Sequence, residues 1–332
     1  MRRGAKRPLA FFAAAALLLA GCSAAAPKES AAPADGPSGV FYEVFVRSFA
    51  DSDGDGIGDL NGLTGRLDYL EDLGVDGLWL MPIQPSPSYH GYDVTDYYGI
   101  HPDYGTMDDF RKLLEEAHRR DIRVIMDLVV NHTSSEHPWF ADSAQGAGSN
   151  YRDWYTWAEN AEQATPSDGA TGSDPWHKGE SGSYLGVFWG GMPDLNFDNA
   201  EVRKEMIAIG QYWLKEGVDG FRLDAAKHIF GDFKSTISSP TVQQKNKSWW
   251  QEFRQGLNEV NPDAYLVGEV WDGAAIVAPY LDNALDSAFN FDLAGTLLGA
   301  AASGRSSSIG FTLSRMHDYF GKGSGGRVVD AP

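Results

Sequence analysis

Short apolar runs alternate with longer amphipathic segments along most of the chain, and this alternation constrains the fold more than any other feature. Apolar runs of this length predict buried strands, and apolar residues spaced three or four apart predict helices between them. The pattern predicts an α/β fold, with a (β/α)8 TIM-type barrel favoured over a doubly wound sheet, which spacing alone does not exclude. The strand-like runs are "FYEVFVRSF" (41–49), "GLWLMPI" (77–83), "RVIMDLVV" (123–130), "GFRLDA" (220–225), "AYLVGEVW" (264–271) and "SAFNFDL" (287–293), and the helix-like segments include 63–74, 107–121 and 200–217.

One connection is much longer than the others. About residues 131–196 separate the third strand-like run from the next helix, and they are rich in Gly, Ser, Trp and Tyr. A structureless loop of this length is uncommon in a compact domain. The sequence therefore predicts a subdomain inserted after the third strand.

The first 22 residues have the organisation of an export signal. A positive segment, "MRRGAKR", precedes the apolar run "LAFFAAAALLLA", and "LLAGC" ends in Cys22. This ending resembles a bacterial lipobox, which predicts lipidation at Cys22 and a lipid anchor in the cell envelope, on the extracytoplasmic side. The alternative is an ordinary cleaved signal with an incidental cysteine. Residues 23–39 are rich in Ala, Pro and Ser and are expected to be a flexible linker.

The charge of the chain narrows the choice of partner. The formal net charge is -19, and a nucleic-acid partner would require clustered Lys and Arg that the sequence does not show. We therefore expect no nucleic acid as a partner. A neutral ligand such as a sugar is compatible with this charge.

Two charged residues stand in an otherwise apolar strand, in the stretch "GVDGFRLDAAKH" (217–228). Alternate residues of a strand share a face, so Arg222 and Asp224 should point together into the barrel. Such a pair is either a structural ion pair or a nucleophilic carboxylate held by a guanidinium. The second interpretation is favoured, because barrels place active sites at the carboxyl ends of their strands.

A second carboxylate follows at the end of the next strand, where Glu269 stands in "LVGEVW". Neighbouring strands lie about 4.8 Å apart, and retaining glycosidases hold their two carboxyl groups about 5 to 5.5 Å apart. The sequence therefore predicts a glycosidase in which Asp224 attacks the anomeric carbon and Glu269 acts as acid and base.

Several stretches together resemble the α-amylase family of glycoside hydrolases. "DLVVNH", "MPDLN", "GFRLDAAKH" and "GEVW" match segments of that family in order, and "YHGYD" precedes them. The resemblance implies that Tyr92 and His132 contact the reacting sugar, and that Lys227 and His228 contact sugars beyond the cleaved bond. It also implies an α-glucan substrate such as starch or maltodextrin, cleaved at internal α-1,4 bonds with retention. Neopullulanase, α-glucosidase and glucan-transferring relatives remain alternatives.

A loop after the first strand is dense in acidic residues. "DSDGDGIGDLNG" (51–62) places Asp51, Asp53 and Asp55 at alternate positions and Asp59 four residues further on, which suits a hard cation with oxygen ligands. The alternative is a solvated acidic turn. The family resemblance implies Ca²⁺ here, with the carbonyl of Ile57 as a further ligand.

The family resemblance also implies two further features. A second calcium site would use Asn131, Asp194 and the carbonyl of His228. A third family carboxylate is expected after the seventh strand, whereas the sequence stops at "RVVDAP" (327–332). We therefore expect residues 40–332 to be an incomplete catalytic barrel that ends before the last strands. A non-catalytic glucan-binding lipoprotein is the alternative to an enzyme.

Overall fold

The computed structural model describes residues 39–158, 169, 172–230, 233, 236–306 and 308–325. Within these ranges the chain forms a six-stranded parallel sheet and a separate two-stranded antiparallel sheet. The strands are β1 (Phe41–Val44), β2 (Gly77–Leu80), β3 (Arg123–Leu128), β4 (Trp176–Gly179), β5 (Gly182–Leu185), β6 (Gly220–Leu223), β7 (Tyr265–Gly268) and β8 (Ser287–Ala288).

The large sheet has the strand order β1-β2-β3-β6-β7-β8, and helices connect most of its consecutive strands. This arrangement confirms the predicted (β/α) barrel type of fold, because all strands are parallel and follow one another in chain order. The helices are α1 (Leu60–Thr64), α2 (Leu67–Asp72), α3 (Met107–His118), α4 (Pro138–Ser143), α5 (Ala200–Glu216), α6 (Pro240–Asn258), α7 (Ala274–Val277), α8 (Phe291–Ser303) and α9 (Ile309–Gly323).

The spacing of apolar residues explains why the long helices cover the sheet. In α5 the buried side chains of Val202, Met206, Ile209 and Trp213 recur every three or four residues and therefore share one face. The helix ends at Glu216 and is capped by Gly217, whose φ of 109° is one that glycine adopts without a steric penalty. Within β6, every residue is buried, as expected for a strand covered on both faces.

The predicted insertion after β3 is confirmed. It contains α4 and the β4–β5 hairpin, and its buried aromatic side chains join the hydrophobic core of the domain. Phe140 packs against the rings of Trp157 and Tyr184, with ring centroids 5.8 Å and 4.7 Å away. The buried Arg152 guanidinium lies 3.6 Å from the centre of the Trp157 ring and donates to the Ser143 carbonyl. The aromatic residues of the insertion are therefore largely structural.

Some element boundaries differ from the sequence prediction. The expected strand over 287–293 is only β8, because the Asn290 side chain accepts a hydrogen bond from the Leu293 backbone N–H and starts α8. The expected helix over 63–74 is divided into α1 and α2. The first expected strand ends at Val44, and a 3-10 turn follows over Val46–Ser48.

The N-terminal predictions concern residues that the structure does not describe. The signal segment (1–22), Cys22 and all of the linker except residue 39 lie outside the described residues. Among the residues that are described, none of the helices is long and apolar enough to cross a membrane.

Candidate active site

The carboxyl ends of β3, β6 and β7 bring four charged side chains together. Asp127 lies near the end of β3 and faces Arg222 of β6 in the strand register. Asp224 directly follows Leu223, the last residue of β6, and Glu269 directly follows Gly268, the last residue of β7. Parallel strands end at the same edge of a sheet, so these residues converge.

The Arg222 guanidinium is the centre of this cluster. Its Nη1 donates to Asp127 Oδ1 at 2.8 Å and also to Asp224 Oδ1, and its Nη2 lies 2.9 Å from Glu269 Oε2. The Arg222 side chain is 6% exposed, and that of Asp127 is not exposed at all. A buried charge requires partners of opposite charge, and a single guanidinium provides one for three carboxylates.

Burial raises the pKa of Glu269 above its usual value, and the Asp224 charge acts in the same direction while Arg222 opposes it. A raised pKa favours the protonated form that a general acid needs. The Glu269 carboxyl also accepts a hydrogen bond from the Ala225 backbone N–H at 3.2 Å. This bond holds its Oε2 towards the residue that follows Asp224.

Asp127 is the most deeply buried acidic side chain of the cluster. Its Oδ2 accepts hydrogen bonds from the Tyr92 hydroxyl at 3.1 Å and from Trp79 Nε1 at 3.2 Å. Burial raises its pKa, and Arg222 opposes this effect. Asp127 therefore fixes Tyr92 and Arg222 relative to each other.

His132 lies next to Tyr92. His132 Nε2 is 3.1 Å from the Tyr92 carbonyl oxygen, and Nδ1 is 2.9 Å from Asn131 Oδ1. Burial lowers the pKa of His132 to about 4, so the ring is neutral at neutral pH. A neutral imidazole can hydrogen-bond a sugar hydroxyl without bringing a charge into the site.

Lys227 and His228 follow Asp224 on the same loop. Lys227 Nζ donates to the Trp271 carbonyl at 2.6 Å and lies 3.4 Å from Asp272 Oδ2, so it connects this loop with the one after Glu269. The His228 and His132 rings each lie 5.4 Å from the ring of Phe188, between centroids. The structure thus places Lys227 and His228 beside the charged cluster; their contacts with sugar remain a prediction.

The acidic loop brings three of its four carboxylates together. One oxygen each of Asp51, Asp53 and Asp59 lies within 4.8 Å of the others, and Asp55 does not belong to this group. The Asp55 carboxylate accepts a hydrogen bond from the Ile57 backbone N–H at 2.7 Å. Hydrogen bonds from the backbone N–H groups of Gly54 and Gly56 lower the pKa of Asp51, which keeps it ionised. An ionised oxygen cluster fits a hard cation such as Ca²⁺.

One carboxylate of the acidic loop also has a structural function. Asp59 Oδ1 accepts from the Gly62 backbone N–H at 2.7 Å, which caps α1, and its Oδ2 accepts from the Ser52 backbone N–H.

The residues expected to form a second calcium site are also adjacent in the fold. The Asn131 side-chain amide donates to the His228 carbonyl, and a bridge pairs His132 with the buried Asp194.

Comparison with known proteins decides the family. A family model described as the catalytic domain of α-amylase matches residues 43–322. The chain belongs to the α-amylase family. The "Alpha-amylase 3" of Dictyoglomus thermophilum is 50% identical over 283 residues, which are 85% of this chain and 53% of that protein. The crystal structure of the α-amylase from H.orenii superposes with a TM-score of 0.79 at 50% identity, covering 86% of this chain and 58% of that one.

Relatives that are named for different activities are also similar. The trehalose-6-phosphate hydrolase of Bacillus subtilis is 47% identical over 199 residues, which are 58% of this chain and 36% of that protein. The oligo-1,6-glucosidase of Bacillus cereus is 40% identical over 232 residues. The chain spans about half the length, or less, of the curated relatives that it matches. Family membership therefore does not identify which glycosidic bond is cleaved.

Two residues of the site were missed by the sequence analysis. Asp127 and Trp79 both lie inside strand-like runs, where they resembled ordinary strand residues. The available signal was the carboxylate itself, since "RVIMDLVV" is otherwise apolar apart from its first residue. A buried carboxylate in a central strand requires a partner, and Arg222 in "GFRLDA" was the matching charge.

Proposed function

We propose that this protein is a retaining glycosidase that cleaves internal α-1,4-glucosidic bonds of starch-like glucans. One observation carries the proposal: Asp224 and Glu269 both contact the Arg222 guanidinium, so their carboxyl groups lie close enough to act on one glycosidic bond. Closely spaced carboxyl groups are characteristic of retaining enzymes, whereas inverting enzymes leave room for a water molecule between them.

The two carboxyl groups divide the reaction into two displacements. In the first, an Asp224 oxygen forms a bond to the anomeric carbon while the bond to the leaving oxygen breaks, and Glu269 gives its proton to that oxygen. In the second, the Glu269 carboxylate removes a proton from water, whose oxygen attacks the same carbon and releases Asp224. Each step inverts the anomeric centre, so the product retains the configuration of the substrate.

The neighbouring residues hold these groups in position. Arg222 orients Asp224 by a direct hydrogen bond, and Asp127 on its other side fixes the guanidinium. The Tyr92 ring is held by its hydroxyl bond to Asp127, and the family resemblance suggests that this ring contacts the reacting sugar. The family resemblance suggests that His132 contacts a hydroxyl of the same sugar, which would require one of its ring nitrogens to exchange its protein partner for the sugar.

The choice of α-1,4 bonds rests on sequence. "AKH" (226–228) after the nucleophile and "YHGYD" (89–93) resemble amylase patterns. The relative from Dictyoglomus thermophilum that is 50% identical is named as an α-amylase. An α-glucosidase acting on short chains is the second candidate, favoured by the similarity to oligo-1,6-glucosidase. Both candidates use the same two carboxyl groups, so product length distinguishes them.

The deciding experiment is incubation of the protein with soluble starch and Ca²⁺, followed by reducing-end assay and proton NMR of the fresh products. Asp224→Asn is the control, since it keeps the shape of the side chain and removes the nucleophile. We expect mixed maltooligosaccharides with α-anomeric ends from the parent and none from the variant. Release of glucose alone would favour an α-glucosidase, and β-anomers would contradict the assigned mechanism. Binding of maltoheptaose without turnover would favour a glucan-binding protein.

We also propose that the acidic loop binds Ca²⁺. The loop would hold the ion through Asp51, Asp53 and Asp59, with the further ligands Asp55 and Ile57 suggested by the family, and the ion would stabilise the loop. A ligand present at 100 times its dissociation constant stabilises a folded protein by about 2.7 kcal/mol. Ca²⁺ should therefore raise the melting temperature of the parent but not of Asp51→Asn. Asp108→Asn, which changes an exposed carboxylate of α3, is the matched control and should respond like the parent.

We further propose that Cys22 carries a lipid that anchors the protein to the outside of the cytoplasmic membrane. The support is the order of a positive segment, an apolar run and "LAGC" in the sequence. Expression in a bacterium with a radiolabelled fatty acid tests this. We expect labelled protein in the membrane fraction from the parent and unlabelled protein from Cys22→Ala. If the parent is also unlabelled, Cys22 does not carry a lipid anchor.

A further inference from the structure

Side chains of α6 form hydrogen bonds with the backbone of the segment that follows the nucleophile. This segment, residues 225–230, is called the 225–230 loop here. The Asn246 side-chain amide donates from Nδ2 to the Lys227 carbonyl at 2.6 Å, and its Oδ1 accepts from the Phe230 backbone N–H at 2.9 Å. Trp250 Nε1 donates to the Ala226 carbonyl at 2.7 Å. A single buried amide therefore connects two points of the loop.

Asn246 occupies a position at which an apolar residue would be expected. The buried residues of α6 are Asn246, Trp249, Trp250, Phe253 and Leu257, which recur at helical spacing and form its inner face. Asn246 is completely buried. A buried amide is costly unless its donors and acceptor are satisfied, and here the 225–230 loop provides the partners for both ends of the amide.

The position of the 225–230 loop matters to the charged cluster. The Ala225 backbone N–H donates to Glu269 Oε2 at 3.2 Å, and the Ala226 N–H donates to the Glu269 carbonyl at 3.0 Å. Lys227 Nζ reaches the Trp271 carbonyl, beyond Glu269. A shift of the loop would therefore move Glu269, the proposed acid/base, together with Lys227, which is expected to contact sugars beyond the cleaved bond.

We propose that Asn246 is a positioning residue that fixes the 225–230 loop and thereby sets the affinity for the glucan units beyond the cleaved bond. Asn246 touches no substrate; it acts through the backbone of Lys227 and Phe230. The part of this inference that concerns glucan rests on the proposed function. The part that concerns the loop stands on the hydrogen bonds alone, and the two parts can be tested separately.

The test compares Asn246→Leu with a control on the same helix. Gln251→Leu also removes a side-chain amide from α6, but that amide donates to the Asp282 carbonyl, away from the loop. Exchange of the Phe230 amide proton is measured by NMR, and maltoheptaose affinity is measured by calorimetry, both well below the melting temperature. A typical net hydrogen bond corresponds to about a tenfold change in an equilibrium constant.

We expect Asn246→Leu to accelerate Phe230 amide exchange by about tenfold, to leave exchange in β6 unchanged, and to weaken maltoheptaose binding by about tenfold. Gln251→Leu should change neither quantity. Asn246→Asp is a second variant that keeps the Oδ acceptor and loses the donor to Lys227. It should keep the Phe230 amide protected and still weaken maltoheptaose binding. If the leucine variant does not fold, this variant tests the role of Asn246 in its place.

Parent-like exchange of the Phe230 amide in Asn246→Leu would overturn the inference. So would equal changes in Asn246→Leu and Gln251→Leu, because these would show that loosening of α6 as a whole is responsible. A parent protein that does not bind maltoheptaose would count against the proposed function. Accelerated exchange in that case would still support Asn246 as the residue that fixes the loop.

Discussion

Replacing Arg222 by methionine should destabilise the protein strongly, because it removes the cation that three carboxylates share. Asp127, Asp224 and Glu269 would lose their hydrogen bonds to the guanidinium, and the side chain of Asp127 has no access to water. Removing one partner of a buried ion pair costs about 3 to 5 kcal/mol. For a domain of this size, that corresponds to a decrease in melting temperature on the order of 10 °C.

The effect should depend on pH in a direction that the structure fixes. Arg222 opposes the burial that raises the pKa values of Asp127 and Glu269, so its removal raises both further. The folded variant then binds more protons than the unfolded chain above the ordinary carboxyl pKa of about 4. Its stability therefore falls as the pH rises, and the difference between parent and Arg222→Met should be smaller at pH 5 than at pH 7.

Urea denaturation followed by tryptophan fluorescence at both pH values measures this difference. Arg111→Met is the matched control, because Arg111 pairs with Glu216 at the surface and its side chain is 51% exposed. Such a pair contributes about 0 to 1 kcal/mol. A loss below about 1 kcal/mol for Arg222→Met, or one that does not change with pH, would refute the electrostatic account of the cluster.

Three further substitutions have expected effects on stability that urea denaturation can check. Ala225 has a φ of 47°, so Ala225→Gly should relieve backbone strain and stabilise the protein by about 0.5 to 1 kcal/mol; destabilisation would mean that the methyl group matters more. Thr106→Ala removes the capping box at the start of α3 and should cost about 1 kcal/mol, and no loss would show that water replaces the cap. A Cβ at Gly220 would lie 2.0 Å from the Tyr265 carbonyl oxygen, so Gly220→Ala should cost more than about 3 kcal/mol; a well-folded variant would contradict the close approach of β6 and β7.

The sequence predicts the site well where its geometry follows from strand periodicity. Arg222 and Asp224 share a face because they are two residues apart, and Glu269 joins them because it ends the adjacent strand. The structure brings these three together as expected. Which sugar contacts Tyr92 and His132 make remains a prediction, although the two residues are neighbours in the fold.

Other parts of the structure depend on pairings that local patterns do not reveal. The role of Asp127 depends on β3 lying beside β6, and the insertion separates these strands in sequence. The contacts of Asn246 have no signal in the sequence, because its side chain bonds to the backbone of a loop from a different element. The expected strand over 287–293 was wrong at its end because the cap provided by Asn290 outweighed the β propensity of Phe291 and the residues near it.

The contacts of Arg222 also bear on the order in which the chain acquires its structure. Asp127 and Arg222 are 95 residues apart in sequence. At a synthesis rate of about 5 to 20 residues per second, the ribosome delivers the arginine roughly 5 to 20 s after the aspartate. During that interval a charged Asp127 has no cation with which to be buried, so β3 cannot settle into its final environment. The charged cluster therefore ties completion of this part of the sheet to the arrival of β6, and a nascent chain that lacks β6 should remain open to proteases around β3.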